Sequence, residues 1–121
     1  GFDPRFFLYF EEVDFSLRAS QAGFRSYYLA ATTAYHKGGG SSQQAKAARL
    51  FYSLRSRLLY GFKHYSFLAA FTLAILTLTV EMAARLLAAL GTMSISKLVE
   101  TVQGYSALFV FLCTKRLRWR S

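Results

Sequence analysis

Residues 1–42 read GFDPRFFLYFEEVDFSLRASQAGFRSYYLAATTAYHKGGGSS, and how this stretch is read decides the expected fold. Glu11, Glu12 and Asp14 crowd into four positions and make up half of the six acidic residues in the chain. Acids in the first turn of a helix oppose its macrodipole, by about 0.3–1 kcal/mol each, and that alone is one reading of them. The other starts from what precedes them. Phe6, Phe7, Leu8, Tyr9 and Phe10 run directly into the carboxylates, and a solvated cap needs no such apolar lead. Carboxylates held beside a dense apolar run suit a general base.

Working outward, Asp3-Pro4 marks a turn, and the aromatic run Phe6 to Phe10 is expected to be buried. A helix is expected from Glu11 to about Ala22, stopped by Gly23. Phe10, Val13 and Leu17 share the face that should meet the core, while Glu11, Asp14 and Arg18 share another. Phe24 to Leu29 and Thr32 to His36 read as short strands. His36 then stands at a strand end, before Gly38-Gly39-Gly40-Ser41-Ser42. A lone histidine is more often structural than a ligand. A strand end before a loop nonetheless presents a side chain outward, where a neutral imidazole can bind a metal alongside carboxylates.

The totals bound the rest. At 121 residues the chain suits one domain or part of one, and it reads as the C-terminal piece of something longer. Net charge is +9 with 54% hydrophobic residues and a mean hydropathy of +0.25, a pairing that points to anionic lipid or phosphate-bearing substrates. A single cysteine, Cys113, excludes an internal disulfide framework and a cysteine-based zinc site. Nucleic acid is not expected as a partner, because the aromatics sit in apolar runs and are not interleaved with basic residues. Residues 45–66 form a basic amphipathic helix with Arg49, Arg55, Arg57 and Lys63. Residues 67–121 form an apolar helical hairpin with a basic tail. Thr77, Glu81 and Arg85 lay a polar stripe along it, which favours a hairpin lying on the cytoplasmic leaflet over one that spans it.

The ordered pattern GFDP-FF-YFEEVDF-LR, a helix-ending Gly23, and His36 leading into a glycine-serine loop resembles the C-terminal end of the catalytic domain of family 2 glycosyltransferases, rhamnosyltransferase-like members in particular. The resemblance covers about 42 residues. It implies an α/β fold: residues 1–44 as the C-terminal portion of a GT-A, Rossmann-like catalytic domain, followed by the mostly α-helical, membrane-associated tail. It implies inverting transfer from a nucleotide-sugar donor to a glycan or lipid-linked acceptor hydroxyl in cell-surface polysaccharide synthesis, at the cytoplasmic face of the bacterial inner membrane. By position, Glu12 is the catalytic base, Glu11 and Asp14 lie on the acceptor side, and His36 helps hold a divalent metal, Mg or Mn, on the donor diphosphate. Glu12 stands where Asp is common in the family. Gly38, Gly39 and Gly40 are expected to close over the donor, with a plain linker as the other reading. Arg55 is the donor-side cation, although Arg49, Arg55 and Arg57 suit lipid headgroups as well. The family's DxD metal motif is not present, and this part alone is expected to be inactive. The rival reading is a basic membrane-anchoring protein without catalysis.

Overall fold

The computed structural model describes residues 1–33, 35 and 45–114. Five α-helices follow in order: α1 (Glu11–Gln21), α2 (Lys46–His64), α3 (Phe67–Leu76), α4 (Met82–Gly91) and α5 (Ile95–Thr114). One π turn, Thr77–Glu81, joins α3 and α4 into a single rod. Ser66 caps the rod, its hydroxyl accepting from the Ala69 amide at 3.4 Å.

The described residues contain no strand, so the α/β, Rossmann-like architecture is corrected to an all-helical one. Phe24 to Leu29 and the described part of Thr32 to His36 have no regular structure. Phe24, Tyr27 and Tyr28 stand exposed, Tyr28 at 93%. Their aromatic content fits a pleated sheet, but a strand needs a neighbour for its backbone groups and none is present among the described residues.

The core lies where α2, the rod and α5 pack against one another. Leu50, Leu54 and Leu58 recur at four-residue spacing along α2 and meet Tyr105 and Leu108 of α5. Leu78 and Met82 of the rod close the cluster. Leu50 lies against Gly104, while Phe51 and Arg55 lie against Phe111, so α2 and α5 run parallel. The π turn leaves a backbone carbonyl in need of a donor. Tyr105, 2% exposed, supplies it, its hydroxyl donating to Thr77 O at 3.1 Å. At the end of that turn Glu81 takes both Arg57 from α2 and Arg85 from α4.

Gly104 sets how closely α2 and α5 approach. A Cβ there would stand 2.8 Å from Leu50 Cδ2, 3.0 Å from Cγ and 3.1 Å from Cβ, so rotating Leu50 cannot clear it. Gly61 differs, because its added Cβ would meet chiefly the far end of Leu73. Gly104→Val is expected to destabilise the bundle by about 2–3 kcal/mol. Gly61→Ala is expected to change it by less than about 1 kcal/mol, since helix propensity offsets the crowding. Denaturant titration of both variants in detergent checks the contrast.

Candidate functional site

The N-terminal segment is held on α2 by polar contacts. Ser56, fully buried on α2, donates its hydroxyl to Leu8 O at 2.8 Å. Arg55 donates to Arg5 O at 3.0 Å, and Arg49 Nε donates to the Tyr9 hydroxyl at 3.1 Å. Phe10 packs on Tyr60 with ring centroids 5.5 Å apart. These contacts pin a strained entry to α1. Tyr9 and Phe10 hold φ at 65° and 68°, a left-handed conformation that costs non-glycine residues roughly 1–2 kcal/mol each. The strained pair delivers the chain into α1 directly ahead of Glu11.

Of the aromatic run, only Phe6 is buried. Phe7 is 71% exposed, and Leu8, Tyr9 and Phe10 are half-buried. The face of α1 turned inward is also not the expected Val13 face, for Val13 is 42% exposed. The face carrying Asp14 docks instead. Asp14 has no exposed surface, and three cationic or imidazole groups converge on it. Arg18 Nε donates to its Oδ2 at 2.8 Å, His64 Nε2 lies 2.7 Å from its Oδ1, and Lys63 pairs with the same Oδ1. Lys63 also reaches Asp3 Oδ2 at 2.7 Å, and Asp3 is paired with Arg5 at 2.8 Å. One network therefore ties the first residues, α1 and the end of α2 together. Lys63, His64 and Ser56 were not legible as partners of this segment, because about fifty residues separate them from it. The one local signal was the Asp14–Arg18 spacing.

The network fixes the ionisation of its acids. The Arg5 guanidinium holds the Asp3 carboxyl well below the usual carboxylate range; burial opposes this and Lys63 adds to it. Burial pushes the Asp14 carboxyl up, but hydrogen bonds from Lys63, His64 and Arg18 outweigh it and hold it down. A carboxyl depressed in the folded state stabilises fully above its unfolded value of about 3.9, and that contribution is lost as pH falls through the folded value. Docking of the N-terminal segment is therefore expected to weaken below about pH 4. Amide exchange in α1, corrected for its intrinsic rate and compared with α5, reads the effect. Equal protection of α1 at about pH 6 and about pH 3 contradicts it.

The candidate site residues are placed as follows. Glu12 is exposed on the first turn of α1 and makes no hydrogen bond to the described residues. Glu11 is half-buried, and its Oε2 is shielded from solvent without a donor among the described residues. The pair thus offers one free carboxylate, Glu12, and next to it the half-buried carboxylate of Glu11, whose Oε2 is closed to solvent. Asp14 is sealed in the ion network and presents nothing to an acceptor. Arg55 packs over the Phe111 ring, 4.8 Å from its centroid, with its guanidinium committed to Arg5 O. His36, Gly38, Gly39 and Gly40 lie outside the described residues, and so does any approach of His36 to Glu12. An open groove of about 470 Å³ lies beside the later part of α1, lined by Phe15, Arg18, Ala19, Phe24 and Arg25, and excludes Glu11 and Glu12.

No three His, Cys, Asp or Glu side chains gather among the described residues in a way that would hold a metal ion. Comparison of the chain with family models, curated proteins and solved structures gives no match.

The opposite side of the molecule is apolar. The most apolar 18-residue window of the rod Phe67–Gly91 has a mean hydropathy of 1.9 with 11% of it buried, and the rod is long and apolar enough to cross a membrane by length and composition. Phe67, Leu68, Val80, Leu87 and Leu90 are exposed along it, and Ile95, Val102 and Val110 continue the surface on α5. A contiguous apolar surface of this extent marks a contact face for lipid or protein.

Proposed function

We propose that the chain is the acceptor-side, membrane-seated part of an inverting glycosyltransferase acting in cell-surface polysaccharide synthesis at the cytoplasmic face of the bacterial inner membrane. The observation that carries this reading is the position of the Glu11–Glu12 pair. It sits at a strained helix start on the charged layer of the molecule, with an uncovered apolar face on the helices beneath. In the proposed reaction one acceptor hydroxyl gives its proton to Glu12 as its oxygen bonds to the anomeric carbon, while the exposed part of the Glu11 carboxylate accepts from a neighbouring acceptor hydroxyl. The bond from that carbon to the nucleoside diphosphate breaks with inversion. The resemblance also implies a divalent metal with His36 as a ligand. The described residues provide no set of ligands for it, and no step is routed through it.

The seating follows from the layers. α2 lies along the rod, with Arg57 on Glu81 and Gly61 against Leu73. A rod standing across the bilayer would draw that basic helix, and the segment docked on it, into hydrocarbon, where each unpaired charge costs about 2.5–3.5 kcal/mol or more. A hairpin lying in the plane of the leaflet keeps the charged layer in water. The apolar face on its own favours a second reading, a membrane anchor without catalysis.

The test is incubation of membranes carrying the native gene product with a panel of labelled nucleotide sugars. Label entering glycan or lipid extract is the expected result. A protein that stays with the membrane and transfers no sugar from any donor is an anchor.

A further inference from the structure

Where the start of α2, the middle of α4 and the start of α5 come together, an open groove of about 500 Å³ is lined by Lys46, Arg49, Arg85 and Lys97. Glu100 is the one carboxylate in its wall, so three positive charges are in excess there. Arg49 and Arg85 are held in place, by the Tyr9 hydroxyl and by Glu81 respectively. The ammonium groups of Lys46 and Lys97 have no ion pair or hydrogen bond among the described residues. Two fixed guanidinium groups and two free ammonium groups around one concavity match an anion with several oxygens.

A second open groove, about 440 Å³, shares Lys46 and Glu100 with the first. Its walls set Ala45, Ala47, Ala48 and Val99 beside the polar Ser96 and Gln103. At the same end of the bundle Leu90, Met93 and Ile95 are exposed, Met93 at 91%. A charged pocket that opens through a mixed groove onto an uncovered apolar face fits one kind of ligand, an anionic headgroup on a hydrocarbon chain.

We propose that this junction of α2, α4 and α5 binds the phosphate headgroup of a membrane lipid, with the lipid stem along the Ala45–Val99 groove. The proposal rests on the membrane-seated half of the reading above and not on sugar transfer. Its chemistry also fits free phosphate; the uncovered apolar face at Leu90, Met93 and Ile95 commits it to the lipid.

The experiment is flotation of the full chain with phosphatidylcholine vesicles, with and without phosphatidic acid, for the unaltered protein and four variants. Phosphatidic acid is expected to strengthen binding at least tenfold. Lys46→Gln and Lys97→Gln are each expected to reduce that gain about fivefold and together to abolish it, with binding to phosphatidylcholine unchanged. Arg25→Gln removes one exposed charge from the groove beside α1 and is expected to cost about twofold or less. A loss for Arg25→Gln equal to that for Lys97→Gln means diffuse attraction and overturns the site. Inorganic pyrophosphate that competes as tightly as the lipid binds overturns the lipid assignment. Equal flotation with both vesicle types overturns this proposal alone, whereas no flotation with either overturns the membrane seating too. Both lysines are exposed, and circular dichroism in detergent confirms that the variants keep their helices.

Discussion

Under the proposed function, Glu12→Gln in the native gene product is expected to lower sugar transfer by about 10²–10⁴-fold, the usual contribution of a positioned general base. The substitution keeps the shape of the side chain and removes its ability to take a proton. Glu12 is exposed and makes no hydrogen bond to the described residues, so the fold loses no contact. A drop in turnover is then a chemical effect, and unchanged flotation with membranes excludes mislocalisation. Glu11→Gln gives a different signature. The exposed part of its half-buried carboxylate can hold an acceptor hydroxyl without receiving the reacting proton, so the expected result is a raised KM for acceptor with a smaller change in kcat. Retained turnover in Glu12→Gln removes the assigned base, and equal kinetic signatures in the two variants remove the division of roles between the acids.

Asp14→Ala loosens the N-terminal segment from the bundle by about 3 kcal/mol. Removing one member of a buried ion cluster strands the others, here Lys63, His64 and Arg18, which turn toward a position that no longer carries charge. Partial exposure of Arg18 and Lys63 keeps the figure at the low end of the usual range, because solvent relieves part of the stranded charge. Amide exchange across Glu11–Gln21 should accelerate by roughly 10²-fold, since each 1.4 kcal/mol is about tenfold in the opening equilibrium. Exchange across Ile95–Thr114 should not change, because α5 packs on α2 and α4. Arg18→Ala is the graded comparison. It removes one half-exposed partner and is expected to cost less than about 1 kcal/mol. Unchanged exchange in α1 on loss of Asp14 refutes the clamp.

The helices were legible wherever the local pattern decides them. Gly23 stops α1 with φ at 88°, Gly91 ends the rod, and the charge-free run from Phe67 marks the apolar helix. What misled was aromatic content. Phe24, Tyr27 and Tyr28 look like strand residues in isolation, yet strand formation depends on a partner that composition does not specify. The inward face of α1 was misread for a related reason. Apolar spacing pointed to Val13, whereas the helix docks through Asp14 onto Lys63 and His64, residues fifty positions away. Charge pairing over such a distance leaves no periodic trace. The Glu11–Glu12 pair was visible as a local excess of acid, but the shielding of one oxygen and the freedom of the neighbouring carboxylate come only from the strained entry at Tyr9 and Phe10.

The π turn at Thr77–Glu81 makes the apolar rod sensitive to residue count as well as to residue type. One added residue offsets the following helix by about 100° around its axis, and that offset brings Glu81 to Arg57 while Leu78 and Met82 stay on the core. Leucine, valine and alanine can trade places on the outer side of this rod at little cost. Deleting a single residue inside the turn would return it to plain α-helix and leave Met82–Gly91 in phase, whereas a deletion beyond the turn would rotate every later residue of the rod by about 100° away from the face that packs on α5.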